Sequence, residues 1–494
     1  MINLMIALHC HIPYVRKRGI WPYGEEWIFE SMLESYLPLL MVLHDLSKIG
    51  IRNILSISIS PILLEQLSDE YIKAGFEKYL ENRINLTKMD CLDFSKKGWS
   101  NLEVLADNKS NHLTRIFEFW HKISRDIISE FSKFEKIGLI EIGASSATHA
   151  ILPLLSKKSI EEQIRIGMET LKHRLNITPN YFWLPECAYK LGLEEDLRDA
   201  GIKFVFLGSS ATTDESFKAY KLGNTDIISV SRQWNLSKMI WSSENGYPGD
   251  TRYREFKKRY RRSGNRYWKM TGSKVTLPNK EIFNPDESKS AVTEHIADFI
   301  SKIKEMNEVS NEKFLLISLD AEVLGHSWFE GVEWLKGVIT AAHENESENI
   351  KLCTPENVIT QIDNGSLDSI RPEICSWGKD GDLRSWDRPA VSWMWEELGT
   401  MSSKYFDLTK NETTDKNYLN QLQRELLLSQ SSDWPFLVTN KNARVYGERR
   451  FRMHSRAFWN IVDMIETGFK DFNLQALLEK DNPFPFLDQP IDKS

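Results

Sequence analysis

INLMIALHCH, residues 2–11, is a nearly continuous apolar run that ends in two histidines. Unbroken apolarity, rather than alternation, marks a strand whose sheet is covered by helices on both faces, as in parallel sheets. NILSISIS (53–60), GLIEIG (138–143), YFWLP (181–185), KFVFLG (203–208), DIISVS (226–231) and FLLISL (314–319) read the same way. Helical patterns separate them. SMLESYLPLLMVLHDL (31–46) carries apolar residues at helical spacing and reaches Gly50 as a stop, and SIEEQIRIGMETLKHRL (159–175) opens with a capping box of Ser159 and Glu162. About seven βα units predict an α/β chain with a closed or nearly closed barrel, rather than an open doubly wound sheet. Periodicity alone does not separate the two.

Beyond about residue 372 the strand signals stop. NYLNQLQRELLLSQ (417–430) and ARVYGERRFRMHSRAFWNIVDMIETG (443–468) are helical patterns, so the chain divides into a barrel with inserted loops and helices (1–372) and an α-helical C-terminal domain (373–494). The length of 494 residues and the 41% hydrophobic content suit one large core and a smaller second one. With no Gly/Ser linker between them, the two units are expected to pack together.

A net charge of −7 gives no general electrostatic reason to bind nucleic acid or an anionic membrane. The basic segment YREFKKRYRRSGNRYWK (253–269) therefore reads as a solvated loop. Cys10, Cys91, Cys187, Cys353 and Cys375 are odd in number and scattered, without the close pairs of zinc or redox sites. The opening MINLMIALHCHIPYV lacks the features of a secretory signal, and no apolar run approaches the ~20 residues of a membrane span. The expected location is the cytoplasm.

Chemistry concentrates at strand ends. His9 and His11 follow the first run, His149 follows GLIEIG, Glu186 follows YFWLP and Asp320 follows FLLISL. In a βα barrel these ends converge on one face, where catalytic groups sit. Two carboxylates from different strands, Glu186 and Asp320, allow one group to attack while the other, held protonated, donates to the leaving group, as in glycoside cleavage. A rival reading takes the His-x-His of LHCH as the start of a zinc site that Asp320 completes. The histidines could also be structural. The sixteen tryptophans allow sugar stacking, notably Trp21, Trp268, Trp377, Trp386 and Trp434 in stretches rich in Gly or charge, although core packing explains a buried tryptophan equally well.

Through LHCHIPYV, GLIEIGASSATHAILPLL, YFWLPECAY and LISLDAEVLGHSWFEG together, the sequence resembles glycoside hydrolase family 57, most closely its α-1,4-glucan branching enzymes. The likeness extends to IWPYGEEWIFESMLESYLPLL, GYPGDTRYREF, SWGKDGDLRSW, SSDWPFL and DNPFPF, and so covers nearly the whole chain. The resemblance implies an incomplete TIM-like (β/α)7 barrel with a helical C-terminal domain, acting on α-1,4-glucans with retention and without metal or organic cofactor. It implies Glu186 as nucleophile and Asp320 as general acid/base, their carboxyl groups about 5–5.5 Å apart as retaining chemistry requires. His11 and His149 match sugar-contacting histidines, with His9 beside them. Trp21, Trp268, Trp377 and Trp386 match aromatic positions along the glucan groove, and Asp433 and Trp434 lie in a motif of the helical domain that closes it.

One departure bears on the reaction. Branching members usually carry a longer loop after the strand matching KFVFLG, with a tyrosine that folds over the site and favours a sugar acceptor over water. Here the connection is only SSATTDESFKAYKLGN (209–224), with Tyr220 as its single tyrosine. A shortened lid shifts the balance towards hydrolysis. Four readings follow: a branching enzyme of glycogen-type synthesis, an α-amylase-like hydrolase using the same carboxylates, a metal-dependent barrel hydrolase, and a glucan-binding protein without turnover.

Overall fold

The computed structural model describes residues 2–488 apart from 213–217, 273, 308–312, 347–349, 363–365 and 469–472. Each of the apolar runs forms a strand: β1 (Ile2–Cys10), β2 (Leu55–Ile59), β3 (Ile140–Ser145), β4 (Tyr181–Trp183), β5 (Phe204–Leu207), β6 (Ile228–Ser231) and β7 (Lys313–Asp320). They lie side by side in the order β7-β1-β2-β3-β4-β5-β6, every pair parallel. Between β6 and β7 the ring is joined by a lone bridge, Arg232 to Leu316, where Gln233 N–H donates to Leu316 O at 2.9 Å. The barrel is thus TIM-like and incomplete. Shorter strands make the sheet mixed: Ala219–Leu222 runs antiparallel to β6, Ser369–Ile370 adds to it, and Ile350–Leu352 runs parallel to the start of β1.

The strand periodicity of two sorts side chains between two cores. Met5 and Ala7 of β1 join Tyr181, Trp183, Phe204, Phe206, Val230 and Leu316 inside the barrel, whereas Leu4, Ile6 and Leu8 face the helices. Because both sides of β1 are buried, its sequence does not alternate. Gly143 makes room for the interior aromatics: a Cβ there would meet the Tyr181 ring at 2.1 Å.

The first helical pattern is longer than its sequence signal. It runs from Glu25 to Lys48, with a π-turn at Met32–Tyr36 just before Pro38. Pro38 has no N–H to offer the carbonyl of Glu34, and the wider turn accommodates the ring. The predicted capping box is displaced, since the helix starts at Lys157 with Ser156 as its N-cap and Ser159 already in the first turn. Two long helices that the sequence reading passed over, Glu70–Lys96 and Ser100–Lys122, form a hairpin beside the barrel.

The basic segment 253–269 is not a solvated loop. Tyr253, Glu255, Ser263, Asn265 and Tyr267 are buried, and Asn265 Nδ2 donates to Thr87 Oγ1 and Asp90 Oδ2 on the helical hairpin. Tyr260, Tyr267 and Trp268 pack in a small core with Phe94 and Leu102 and Tyr253 joins the main core, while Lys257, Arg259, Arg261 and Arg262 stay exposed.

The last part of the chain folds as helices Ser392–Leu408, Lys416–Ser429, Asp433–Thr439, Arg444–Thr467 and Leu474–Lys480 around Met394, Leu422, Trp434, Phe451, Phe458 and neighbours. It docks on the barrel through polar contacts: Thr148 Oγ1 donates to Leu427 O at 2.5 Å, Gln163 Nε2 to Gln430 Oε1 at 2.8 Å, and Arg450 Nη2 to Tyr14 O at 2.6 Å. Among the described residues, no helix is long and apolar enough to cross a membrane.

Candidate active site

The carboxyl ends of β1, β3, β4 and β7 converge. The register of β1 and β7 sets His9 opposite Asp320, the last residue of β7. After β4 the chain makes a tight turn in which Glu186 (φ 59°) and Cys187 (φ 49°) both adopt left-handed conformations. Non-glycine residues in that region are strained by about 1–3 kcal/mol each and persist only where surrounding contacts hold them. Those contacts come from far along the chain. Ile374–Cys375 pairs antiparallel with Tyr189–Lys190, Trp377 N–H donates to Glu186 O at 2.8 Å, and the Trp377 indole N–H donates to Glu186 Oε2.

Glu186 and Asp320 line one cleft of about 1180 Å³, together with Tyr220, Trp377 and Trp386. Burial pushes Glu186 up to about 8, with the charge of Asp320 adding to the effect and the Trp377 hydrogen bond opposing it. Burial also lifts Asp320, to about 6, against the pull of Arg232 and His11. Two repelling carboxyl groups titrate as a pair, so the pair holds one proton between them near neutral pH. Glu322 is a third acid. Burial and Asp320 raise it to about 8, and its Oε1 accepts from His11 N–H at 3.1 Å and from the Tyr36 hydroxyl.

The histidines form a stack. His9 lies flat on Trp183 with centroids 4.8 Å apart, His149 is 4.9 Å from His9, and His11 is 3.8 Å from His149. The helical domain orients two of them: Ser432 Oγ bonds His149 Nδ1 at 2.8 Å, and Asp433 Oδ2 bonds His11 Nε2 at 3.1 Å. Burial pushes Asp433 up, but the charge and hydrogen bond of His11, with His149 and Ser431, more than offset it and hold the carboxyl at about 2. Burial, reinforced by the neighbouring imidazoles, lowers both His9 and His149 well below the usual range. These three histidines bring ring nitrogens within 4.8 Å of one another. Their rings are nearly parallel, however, so the in-plane lone pairs run side by side, and both nitrogens of His11 are engaged by Ser60 and Asp433. That is a poor match to the tetrahedral convergence of a zinc site.

The remaining tryptophans separate. Trp377 reaches the cleft, whereas Trp386 lies in its wall but is fully buried, its ring stacked on Phe436 at 6.2 Å. Trp434 does not offer a face to a ligand: it is fully buried, its indole donates to Leu428 O at 2.7 Å, and Arg450 lies 4.7 Å over its ring. Trp268 packs in the small core beside Tyr267, beneath Lys258, and is not part of the cleft wall. Trp21 is 77% exposed and also outside that wall. Tyr220 lies in the strand Ala219–Leu222 rather than on a free loop, and it is mostly buried at the cleft edge. Of the connection 209–224, residues 213–217 lie outside the described residues.

Sequence reading missed several cleft residues. Arg232 directly follows β6, so the strand-end rule that found Glu186 and Asp320 also points to it; its guanidinium lies 5.0 Å over Trp377. Trp234 and Trp241 stand seven residues apart on one helix, hence on one face, and their partly exposed rings line the cleft. Phe436, inside the SSDWPFL motif but not singled out there, and Asn440, which carried no local signal, come from the helical domain.

The sequence profile of glycosyl hydrolase family 57 matches residues 5–370, and that of the C-terminal region of 1,4-alpha-glucan branching enzymes matches residues 394–491. A 1,4-alpha-glucan branching enzyme of Thermococcus kodakarensis is 32% identical over 97% of this chain and 77% of its own length. Its crystal structure superposes with a TM-score of 0.92, covering 98% of this chain and 95% of that one. A family 57-type branching enzyme of Pyrococcus horikoshii is 34% identical with a TM-score of 0.91, covering 98% and 95%. The alpha-amylase AmyC of Thermotoga maritima is 28% identical with a TM-score of 0.87, covering 98% and 97%.

Proposed function

The chain belongs to glycosyl hydrolase family 57, and from that membership we propose that it is a retaining 1,4-alpha-glucan branching enzyme. Its substrate is then an α-1,4-glucan such as amylose or a glycogen-like polymer, and its place is in cytoplasmic glycogen-type synthesis. The observation that carries this reading is the pairing of Glu186 and Asp320 in one cleft, with Trp377 bonded to the Glu186 carboxylate.

In this mechanism Glu186 attacks the anomeric carbon of the scissile α-1,4 linkage while Asp320 gives its proton to the departing 4-oxygen. The glucan segment is then held as an ester on Glu186. The 6-hydroxyl of an acceptor chain attacks the same carbon, Asp320 takes its proton, and the Glu186 ester bond breaks. The higher value of Glu186 leaves the shared proton mainly there in the resting pair, whereas attack needs Glu186 ionised and Asp320 protonated. The Trp377 indole donor and the positive charge that grows on the sugar both favour moving the proton to Asp320. No step needs a metal or an organic cofactor. His11 and His149, with His9 stacked beneath, are sugar-contacting groups in this reading, from beyond the cleft wall that Glu186 and Asp320 line. Trp377 is the stacking surface with the buried Trp386 behind it, and Asp433 is the link by which the helical domain (373–494) closes the groove of the barrel (1–372).

A second reading has a specific observation in its favour. The 209–224 connection is short, and a covalent intermediate left open to water is hydrolysed. Incubation with amylose, following new reducing ends and the α-1,6 linkages released by debranching, separates the two. New α-1,6 bonds with few reducing ends, absent in Glu186→Gln, support branching; reducing ends without α-1,6 bonds make the chain an α-amylase-like hydrolase. Loss of activity with chelator would favour the metal-dependent reading, and no change in the glucan would leave binding alone.

A further inference from the structure

A second cleft lies apart from the catalytic one, lined by Arg83, Lys109, Arg254, Arg259 and Arg266 against only two carboxylates, Glu30 and Glu34. Three of its arginines come from the basic segment 253–269, which the proposed reaction does not use. In a chain of net charge −7, four arginines and a lysine gathered against two carboxylates are a local reversal of sign.

These cations are incompletely paired. Glu34 takes Arg266 at 3.2 Å, and Glu30 takes Arg259 at 3.4 Å. Among the described residues, neither Lys109 nor the Arg254 guanidinium makes an ion pair or a side-chain hydrogen bond. Glu34 and Glu330 act on them only by charge, Glu330 Oε1 being taken by the Arg254 main-chain N–H at 3.3 Å, and both cations lie over the Phe329 ring, at 5.2 and 3.8 Å. The Nε atoms of Arg254 and Arg266 are buried donors without a partner. Buried donors are normally satisfied, and a cation–π contact offsets only part of the cost of burying a charge. The unmatched groups are those that recognise phosphate: guanidinium forks and an ammonium.

We propose that this cleft binds a phosphate-type dianion, free or as a phosphate ester, held by Lys109, Arg254 and Arg266. The cleft is narrow, with about 20 Å³ of room. The anion therefore sits at its mouth, beside the partly exposed Arg259, with any organic group turned to solvent. Burial lowers Lys109 to about 7, with the charge of Glu34 opposing it and Arg254, Arg83 and Arg266 adding to it, and a bound dianion would favour its charged form. The site adjoins the segment that begins at Asp320. Phe329 belongs to that segment, His326 Nδ1 bonds Glu34 Oε2 at 2.7 Å, and Gly325 lies so close to the Glu34 carbonyl that a Cβ would meet it at 1.8 Å.

Calorimetric titration of the full chain at constant ionic strength tests this, with inorganic phosphate in one arm and glucose 6-phosphate in the other. Saturable binding is expected, weakened about tenfold by Lys109→Gln and by Arg259→Gln, each the loss of one charged contact. The exposed Lys289→Gln should change nothing. Arg259 is at the surface, so its variant remains informative if a deeper one fails to fold. Equal affinity in the two arms identifies free phosphate as sufficient, and tighter binding of the ester identifies a phosphorylated sugar. Absence of saturable heat in both arms, or binding unchanged in both variants, overturns the site. The readout is independent of whether the chain branches or hydrolyses glucan.

Discussion

Trp377 holds Glu186 twice: its main-chain N–H donates to the Glu186 carbonyl at 2.8 Å, and its indole N–H donates to the Glu186 carboxylate. The first bond fixes a strained backbone and the second favours the ionised acid. One residue therefore holds the position of the proposed nucleophile and counters the burial that keeps it protonated.

Trp377→Phe keeps the ring and the backbone bond but removes the indole donor. A hydrogen bond to a charged group contributes about 1.5–3 kcal/mol. The rate of glucan transfer should fall about 10- to 100-fold with little change in KM. Glu186, losing a contact to its ionised form, should retain its proton to higher pH, so the alkaline limb of the rate profile should move up.

The wild-type pH profile should be bell-shaped. The active pair carries one proton; it gains a second on the acid side, near pH 6, and loses its last on the alkaline side, near pH 8. Initial rates on amylose across pH 4–10 would check both limbs, and a flat profile from pH 5 to 9 would refute the shared-proton arrangement.

Asp433→Asn should move the alkaline limb the other way. The carboxylate of Asp433 is ionised at every working pH and raises Glu186 by its charge. Removing that charge lowers Glu186, and it also weakens the bond that orients His11. A downward limb shift with about a tenfold loss in kcat/KM is expected, the loss being that of one charged hydrogen bond.

Glu186→Gln should stabilise the fold, and more so at higher pH. Glu186 is raised in the folded state from its ordinary value near 4.5 to about 8, so the folded chain keeps a proton that the unfolded chain releases. The cost of burying this carboxyl therefore grows as pH rises from about 4.5 to about 8, at about 1.4 kcal/mol per unit at most. Melting curves of the variant and wild type should coincide near pH 4 and separate at pH 8.

Gly167→Ala would normally strengthen a helix interior by about 1 kcal/mol. Here the sign should reverse. A Cβ at Gly167 would meet the Ser145 carbonyl at 2.1 Å, where the helix Lys157–Leu175 crosses the end of β3. Overpacking of this kind costs about 1–3 kcal/mol, so a lower midpoint in urea is expected.

The seven strands were legible because each is buried on both faces and therefore reads as an apolar run. Glu186 and Asp320 were legible because a strand end is a local feature, and the same rule points to Arg232. The tryptophans were not legible in that way. Trp377 and Trp434 both sit in motifs rich in charge or small residues, yet one faces the cleft and the other is buried under Arg450. Which outcome applies depends on helices packed from other parts of the chain.

The positions of the strands along the chain, the helical C-terminal region and the two carboxylates at strand ends were thus determined by the sequence alone, through short-range periodicity and the chain direction of βα units. The tertiary structure alone decided the clamp of Trp377 on Glu186 across 191 positions, the histidine stack tied to Ser432 and Asp433, and the burial of the basic segment beside Lys109. The physical reason is range. Hydrophobic patterning is written within a few residues, whereas strain, proton sharing and unpaired charge arise only when distant segments exclude water together.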